Sequence, residues 1–272
     1  MKKRIMALAM SVLLITGLAA CNVSETGKNT QEDTFVYVAE YLPIPKDFAS
    51  GEGENTGINA NIISLKGNIL YYQKWEADAE GNYGSGLYSL DLLAEGAEAQ
   101  PLNVHFGENR TPQKTLIDDA GNIYAVVSAY GLLDNPEEGF DYNKQTYQLE
   151  KWAAYGQLVY ETDLSSLTEN TDYFYINYME VDKDGNVYLA DNNQNINVFG
   201  TEGDLLCSLS TDNYFAAMGT SKDGDVYIAQ WGSGNGQELV KVDPVTKSFG
   251  SPLLGIPSNI YDSALIGGMT KD

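Results

Sequence analysis

The stretch that decides the fold is Val181-Asp182-Lys183-Asp184-Gly185-Asn186-Val187-Tyr188. An apolar residue leads into Asp-x-x-Gly-Asn, and an apolar run with a tyrosine follows directly. Glycine and asparagine accept the positive φ angles that tight hairpin turns require. The stretch therefore predicts two antiparallel strands joined by a tight turn.

The same pattern occurs at residues 64–71, 117–124 and 220–227, with a turn that ends in Gly-Asn or Gly-Asp. The strand after most of these turns is apolar at nearly every position, as at 123–127, 187–190 and 226–229. Such strands are expected to be buried on both faces. A second hairpin of more alternating character follows each turn, most clearly at residues 197–206. Each repeat therefore predicts four short antiparallel strands.

Four-stranded units with buried inner strands are typical of β-propeller blades. The sequence predicts an all-β, propeller-like domain over residues 35–272. Its four blades are expected at 58–107, 112–166, 176–211 and 214–254, with the start of a fifth at 258–272. The longer repeats are interpreted as blades with polar insertions at 75–86 and 129–146, both leaving the same face of the ring.

Four blades and a remnant leave two interpretations open. The ring is incomplete and the sequence is the front part of a longer protein, or the ring is small and complete. In the second case the apolar strand Phe35-Val36-Tyr37-Val38-Ala39 and the C-terminal strand would close it.

The N-terminus has the features of a bacterial export signal. Three basic residues at positions 2–4 precede an uncharged apolar stretch from Ile5 to Leu14. This stretch is too short for a stable membrane span, which needs about 20 residues, and it is typical of a secretory signal peptide. We therefore predict a signal peptide at residues 1–20.

The segment Leu18-Ala19-Ala20-Cys21 resembles the bacterial lipobox, in which the cysteine thiol is lipidated and the signal is cut before it. The resemblance implies lipidation at Cys21, palmitate included, and a place on the extracytoplasmic face of the cell membrane. The polar segment that follows predicts a disordered tether over residues 21–34. An ordinary signal peptide with a chance cysteine is the alternative.

The net charge of the chain limits the kinds of molecule that it can bind. The formal net charge is −22, and removal of the signal, which carries three basic and no acidic residues, brings it to −25. So acidic a surface repels phosphates of nucleic acids and anionic lipid headgroups. We predict no nucleic-acid partner and a membrane contact through the lipid alone.

Catalytic and metal-binding residues are scarce. Once Cys21 is lipidated, Cys207 is the one cysteine left, and His105 is the one histidine, so a zinc site of His and Cys ligands is excluded. A catalytic triad would need His105, and no G-x-S-x-G motif accompanies it. The segment Asp182-Lys183-Asp184-Gly185-Asn186 resembles half of a calcium loop, but the turn alone explains these residues. We therefore predict no catalytic residues, no metal and no cofactor.

Aromatic residues are abundant, with 19 tyrosines. Four aromatic residues in the predicted loops, Trp75, Tyr83, Tyr130 and Trp231, could stack on sugars, and we predict them as ligand contacts. The alternative is that the tyrosines simply pack in strands, which favour them.

The lipobox, the short tether, the strand at 35–39 and the Asp-x-x-Gly-Asn-[Ile/Val]-Tyr blades together resemble the N-terminal region of large Gram-positive lipoproteins. In that family a propeller-like half precedes an extracellular solute-binding domain of the ABC-transporter type. More loosely, the blades are similar to NHL and SMP-30-like propellers, which include metal-dependent lactonases.

These resemblances imply two functions. The first is a membrane-anchored extracytoplasmic lipoprotein with a propeller binding module, not an enzyme, accessory to solute uptake. Its ligand would be a carbohydrate or peptide, and its partner an ABC-transporter permease. The second is a metal-dependent propeller enzyme of lactonase or lyase type. The near absence of histidine favours the first function.

Overall fold

The computed structural model describes residues 49–50, 57–58, 60–77, 83–94, 96, 98–107, 110–132, 140–168, 174–231 and 236–256. The chain divides into two units, Met1–Asn59 and Ala60–Asp272. In the first unit, the short strands β1 (Ala49–Ser50) and β2 (Gly57–Ile58) pair antiparallel. The predicted signal peptide, Cys21, the tether and the strand at 35–39 lie outside the described residues, as does the predicted fifth blade at 258–272.

The second unit is an all-β structure of four antiparallel sheets arranged as a four-bladed β-propeller, which confirms the predicted fold class. Blade 1 contains β3 (Ala60–Lys66), β4 (Ile69–Ala77), β5 (Tyr83–Asp91) and β6 (Gln100–Pro101). Blade 2 contains β7 (Arg110–Ile117), β8 (Ile123–Leu132), β9 (Phe140–Trp152) and β10 (Leu158–Asp163), followed by the one-turn helix α1 (Ser165–Thr168).

Blade 3 contains β11 (Ile176–Val181), β12 (Val187–Asp191), β13 (Asn195–Phe199) and β14 (Leu205–Ser210). Blade 4 contains β15 (Phe215–Thr220), β16 (Val226–Trp231), β17 (Gln237–Asp243) and β18 (Ser248–Phe249). A fifth short strand in this sheet, β19 (Leu254–Ile256), also pairs with β17. In the part of the chain that the structure describes, no helix is long and apolar enough to cross a membrane.

The repeated turns join the first two strands of the blades. In blade 3, Gly185 has a φ angle of +87°, which a residue without a Cβ adopts at little cost. Asp182 ties this turn together, because its carboxylate accepts hydrogen bonds from the backbone N–H and the side-chain amide of Asn186, at 2.9 and 2.8 Å. In blade 2, Asp118 does the same with Asn122, both at 2.8 Å.

A related turn joins β12 and β13, although it has no glycine. Gln194 takes the positive φ angle, at +59°. The buried carboxylate of Asp191 accepts hydrogen bonds from the backbone N–H groups of Asn193 and Asn195, at 2.8 and 3.0 Å. The carboxylate network therefore supports the turn even where glycine is missing.

The second strand of each blade lies between two layers. All five residues of β12 are buried, and so is the run 123–128 in β8. Their side chains alternate between apolar clusters that join successive blades. Blades 1 and 2 share a cluster around Ile123, Ala125 and Phe106, blades 2 and 3 one around Val126 and Leu189, and blades 3 and 4 one around Ile196, Ile228 and Val240. The doubly apolar pattern read from the sequence is confirmed.

The two predicted insertions do follow the second strand of their blades, but the prediction that they are loops is wrong over most of their length, which is strand. Strand β4 continues to Ala77 and β5 begins at Tyr83, with Trp75 paired to Ser85. Gly86 does not mark a loop here: a Cβ at this position would lie 2.7 Å from the ring of Tyr88, so the strand needs a small residue. In blade 2, β8 and β9 likewise extend the hairpin to Leu132 and Phe140.

Candidate functional site

The first strands of the four blades line one cavity of about 1090 Å³, called the central cavity below. Blade 1 contributes the C-terminal part of its first strand, and the other three blades contribute the C-terminal part of the first strand and the turn after it: residues 63–66, 114–120, 178–183 with 185, and 218 with 220–222 and 224. Ligand pockets for small molecules commonly have volumes of about 300–1,000 Å³. The cavity is therefore large enough for a small solute.

Polar contacts join neighbouring blades along the cavity wall. They connect blade 1 to 2, blade 2 to 3 and blade 3 to 4, through Lys66 Nζ to Asp119 Oδ1 at 2.7 Å, Lys114 Nζ to the carbonyl oxygen of Asn177 at 2.9 Å, and Thr220 Oγ1 to Glu180 Oε2 at 2.9 Å. In the first two a lysine from one blade reaches into the next blade. The wall of the cavity is thus held by charged side chains as well as by backbone.

Lys114 is half-buried, as Lys66 is, whereas the other two lysines of the lining, Lys183 and Lys222, are exposed. The Nζ of Lys114 lies 5.8 Å from the ring centre of Tyr178, close enough for a cation–π contact. Burial lowers the pKa of the Lys114 ammonium, and the negative charge of Glu180 opposes this effect. Two hydroxyl oxygens in the same wall, of Ser64 and Thr115, are buried and have no hydrogen-bond partner among the described residues.

The aspartates of the two Asp-x-x-Gly-Asn turns line the cavity but are already engaged. Besides the Asn186 donors, Asp182 accepts hydrogen bonds from the Asp184 backbone at 2.9 Å and from the hydroxyl of Tyr188 at 3.1 Å. Burial raises the pKa of Tyr188, and the adjacent Asp182 carboxylate raises it further. The turn therefore uses the oxygens that a half calcium loop would offer to a cation.

Metal-binding and nucleophilic residues do not converge in the described part of the chain. Among its residues, no three His, Cys, Asp or Glu side chains form a group that could hold a metal ion. His105 is exposed between two buried residues, Val104 and Phe106. Cys207 is buried, burial raises the pKa of its thiol, and its Sγ lies 3.8 Å from the carbonyl oxygen of Pro244. The position of Cys207 fits a packing role.

The predicted aromatic contacts lie elsewhere. Trp75, Tyr130 and Trp231 stand near the ends of the second strands β4, β8 and β16, and Tyr83 begins β5, with a side chain outside the described set. Because the second strands run away from the cavity turns, these residues are at the other end of the blades. Of the three whose side chains the structure describes, Trp75, Tyr130 and Trp231, none lines the cavity. Their contact with sugar stays a prediction.

Two further tyrosines belong to the same end of the blades. Tyr214 is 68% exposed, and its carbonyl oxygen accepts a hydrogen bond from the Trp231 N–H at 2.9 Å. Tyr175 is 39% exposed, and its carbonyl oxygen accepts one from the Asn192 N–H at 3.1 Å. The sequence offered a signal for them, an aromatic residue directly before the first strand of a blade.

Comparison with known proteins adds little beyond the fold. No protein-family model and no curated protein matches the chain. Among solved structures, a Bacteroides caccae protein of unknown function is similar over 75% of this chain and 62% of its own length, with 11% identity and a TM-score of 0.46. This chain thus spans less than two thirds of that protein.

Two other solved structures are similar at the same level. The WD40 propeller domain of Doa1 matches 73% of this chain and 78% of its own, with 11% identity and a TM-score of 0.32. A candidate 6-phosphogluconolactonase from Bacteroides uniformis matches 81% and 74%, with 12% identity and a TM-score of 0.38. Because the sequence identities are only 11–12%, the activities and ligands of these proteins are not assigned to this chain.

Proposed function

We propose that this chain is a lipid-anchored, extracytoplasmic binding module that holds a small solute in its central cavity, without catalysis. The observation that supports the proposal best is the cavity itself, which all four blades line with the C-terminal parts of their first strands. A role accessory to solute uptake, beside an ABC-transporter permease, is part of the same proposal. It rests on the lipobox at Cys21 and the propeller blades together.

Solute binding in the cavity can be tested by blocking the cavity chemically. Leu65 lines the cavity and is 44% exposed, whereas Leu93 lies outside the lining and is 81% exposed. We expect the unlabelled Leu65→Cys and Leu93→Cys chains to be stabilised by at least one solute in a panel of sugars, polyols, amino acids and organic acids. Ligand binding to the native state raises the melting temperature.

Coupling a bulky maleimide to Leu65→Cys should then abolish the thermal shift, and coupling it to Leu93→Cys should leave the shift in place. The native thiol of Cys207 is buried and is the same in both variants. A panel without any stabilising solute, or an equal effect of the two labels, would contradict solute binding in the cavity.

Lipid anchoring predicts a specific loss on substitution of one cysteine. We expect Cys21→Ser to abolish incorporation of an alkyne-labelled palmitate and to move the chain from the membrane pellet to the soluble fraction. The reason is that a thioether can form only on a thiol. Cys207→Ser is the matched control and should behave as wild type; lipid label retained by Cys21→Ser would contradict the anchor.

A further inference from the structure

The cavity differs from the rest of the protein in its charge balance. The whole chain has 38 acidic and 16 basic residues. Among the lining residues, four acidic side chains stand against four lysines, namely Asp118, Asp119, Glu180 and Asp182 against Lys66, Lys114, Lys183 and Lys222. The lining is therefore formally neutral in a protein with a net charge of −22.

The acidic side chains of the lining already have donors. Asp119 pairs with Lys66 at 2.7 Å, and Glu180 accepts the hydrogen bond from Thr220 at 2.9 Å. Asp118 and Asp182 accept hydrogen bonds within their own turns. Each carboxylate of the lining thus has part of its charge compensated by a fixed partner.

Two of the lysines form no ion pair, although the charge of Glu180 acts on Lys114 from a distance. Lys66 and Lys183 form ion pairs with Asp119 and Asp184, both at 2.7 Å. Among the ion pairs of the described residues, none includes Lys114 or Lys222. Lys114 belongs to blade 2 and Lys222 follows the first strand of blade 4, so they come from two different blades that line the same cavity.

The ammonium group of Lys114 can still donate hydrogen bonds to a ligand. An ammonium group has three N–H donors, and the carbonyl oxygen of Asn177 takes one at 2.9 Å. The ring of Tyr178 attracts the charge but is a weak substitute for water. An anionic oxygen in the cavity would restore the solvation that burial removes from this ammonium, and a neutral group would restore less of it.

Salt at physiological concentration weakens the repulsion between the strong negative charge of the protein and an anion in the cavity. Screening reduces the effect of exposed charges beyond about 8 Å at an ionic strength of 0.15 M. The local groups of the lining therefore decide the selectivity, while the outer acidic residues slow the approach of an anion at low salt.

We propose that the central cavity selects a small organic anion, whose carboxylate or phosphate group pairs with Lys114 while Lys222 contributes from blade 4. This inference rests on the proposed solute binding and names the class of the solute. A carboxylate and a phosphate present the same anionic oxygens to a lysine, so the experiment has an arm for each.

The test uses two pairs of probes, and the members of each pair differ by one anionic group: gluconate against glucitol, and glucose 6-phosphate against glucose. Each is titrated calorimetrically into the full-length chain in detergent. We expect at least one anion to bind about tenfold or more tightly than its neutral counterpart, as one charge-assisted hydrogen bond provides. The pair that shows the difference identifies the anionic group.

Variants of Lys114 then test whether the tighter binding of the anion depends on this side chain. Lys114→Met should weaken the anion about tenfold or more, and Lys114→Arg, which keeps the charge, should recover most of the affinity. Lys144→Met changes the net charge equally, but Lys144 is exposed and outside the lining, so it should have little effect. The melting temperature of each variant checks that it is folded.

The proposal is wrong if neither anion binds, if glucitol and glucose bind as tightly as the anions, or if Lys114→Met and Lys144→Met weaken the anion equally. These outcomes differ from failure of the proposed function. A neutral solute that binds and is displaced by the label on Leu65→Cys would leave the binding module standing and overturn only its preference for an anion.

Discussion

Arg110→Met will lower the free energy of unfolding by about 3–5 kcal/mol, the usual effect of removing one partner from a buried ion pair. Glu150 on β9 has no exposed surface, and the Arg110 guanidinium bonds to its Oε1 and to Gln148. Arg110 also reaches Glu161 at 3.3 Å. Without Arg110, the described donors to the Glu150 side chain reduce to the Trp152 indole N–H at 2.8 Å, and a buried carboxylate is left without a cation.

The free energy of unfolding that Arg110→Met loses should depend on pH, and the pKa of Glu150 sets the direction. Burial raises the pKa of Glu150 above its ordinary 4.5, while the hydrogen bond from Trp152 and the charge of Arg110 oppose the shift. The folded state therefore binds more protons than the unfolded state between 4.5 and the raised value, so stability falls as pH rises through this window. Removing Arg110 widens the window. The difference from wild type is expected to be largest at neutral pH and to shrink as the pH falls towards 4.5.

Urea unfolding followed by far-ultraviolet circular dichroism measures both effects. In the double variant Arg110→Met/Glu150→Leu, no buried charge is left unpaired, because Glu161 is partly exposed, and most of the stability should return. Glu161→Gln removes a partner that is about one-third exposed and should cost less than about 1 kcal/mol. A loss in Arg110→Met no larger than that of Glu161→Gln would contradict the buried-pair account.

The turns explain why the fold was predictable from sequence. Asp182, Gly185 and Asn186 act within five residues of one another, so their pattern carries the hydrogen bonds that close the turn. The strand after the turn is apolar on both sides because it lies between two blades. Local chemistry and burial therefore coincide in these repeats, and four copies are enough to predict blades.

The prediction that residues 75–86 form a loop was wrong because glycine occurs in proteins for two different reasons. At Gly185 it allows a positive φ angle in a turn, but Gly86 lies inside a strand against the ring of Tyr88. The second reason depends on the extended backbone of β5, which places residues 86 and 88 on the same face of the strand. A polar segment with glycines was therefore interpreted as a loop, although β4 and β5 extend into it.

The cavity residues were not predictable for a different reason. Lys114 and Glu180 are single charged residues in strands, and no local motif surrounds them. Lys114 bonds to Asn177, 63 residues away along the chain, and Glu180 bonds to Thr220, 40 residues away. These contacts place the two charged residues in the cavity wall. The predicted aromatic contacts, by comparison, followed from exposure in supposed loops, and the structure places the described ones away from the cavity. The arrangement of the blades in space, which brings these residues together, could not be predicted from the sequence.

Gly156→Ala is expected to lower the free energy of unfolding by roughly 2–5 kcal/mol, from backbone strain together with overpacking. Gly156 lies in the turn between β9 and β10, with a φ angle of +89°. A Cβ there would stand 2.1 Å from the carbonyl oxygen of Asn103, in the segment that joins blades 1 and 2. Because the obstacle is backbone, it cannot rotate away.

The clash should reach the interface between these blades. Asn103 precedes Val104 and Phe106, two buried residues of the cluster that blades 1 and 2 share, and the ring of Phe106 meets Trp152 edge to face at 6.2 Å. Moving Asn103 would therefore loosen Phe106 against Trp152, which a change in tryptophan fluorescence of the folded protein should report.

Gly67→Ala separates strain from the clash. Gly67 also has a positive φ angle, +59°, but a Cβ there would have no atom within 4 Å. Its substitution should cost only the strain of a left-handed residue, about 1–2 kcal/mol, and leave the fluorescence unchanged. Equal losses in the two variants would mean that the turn of blade 2 can move away from Asn103, and that its contact with the segment between the blades does not stabilise the propeller.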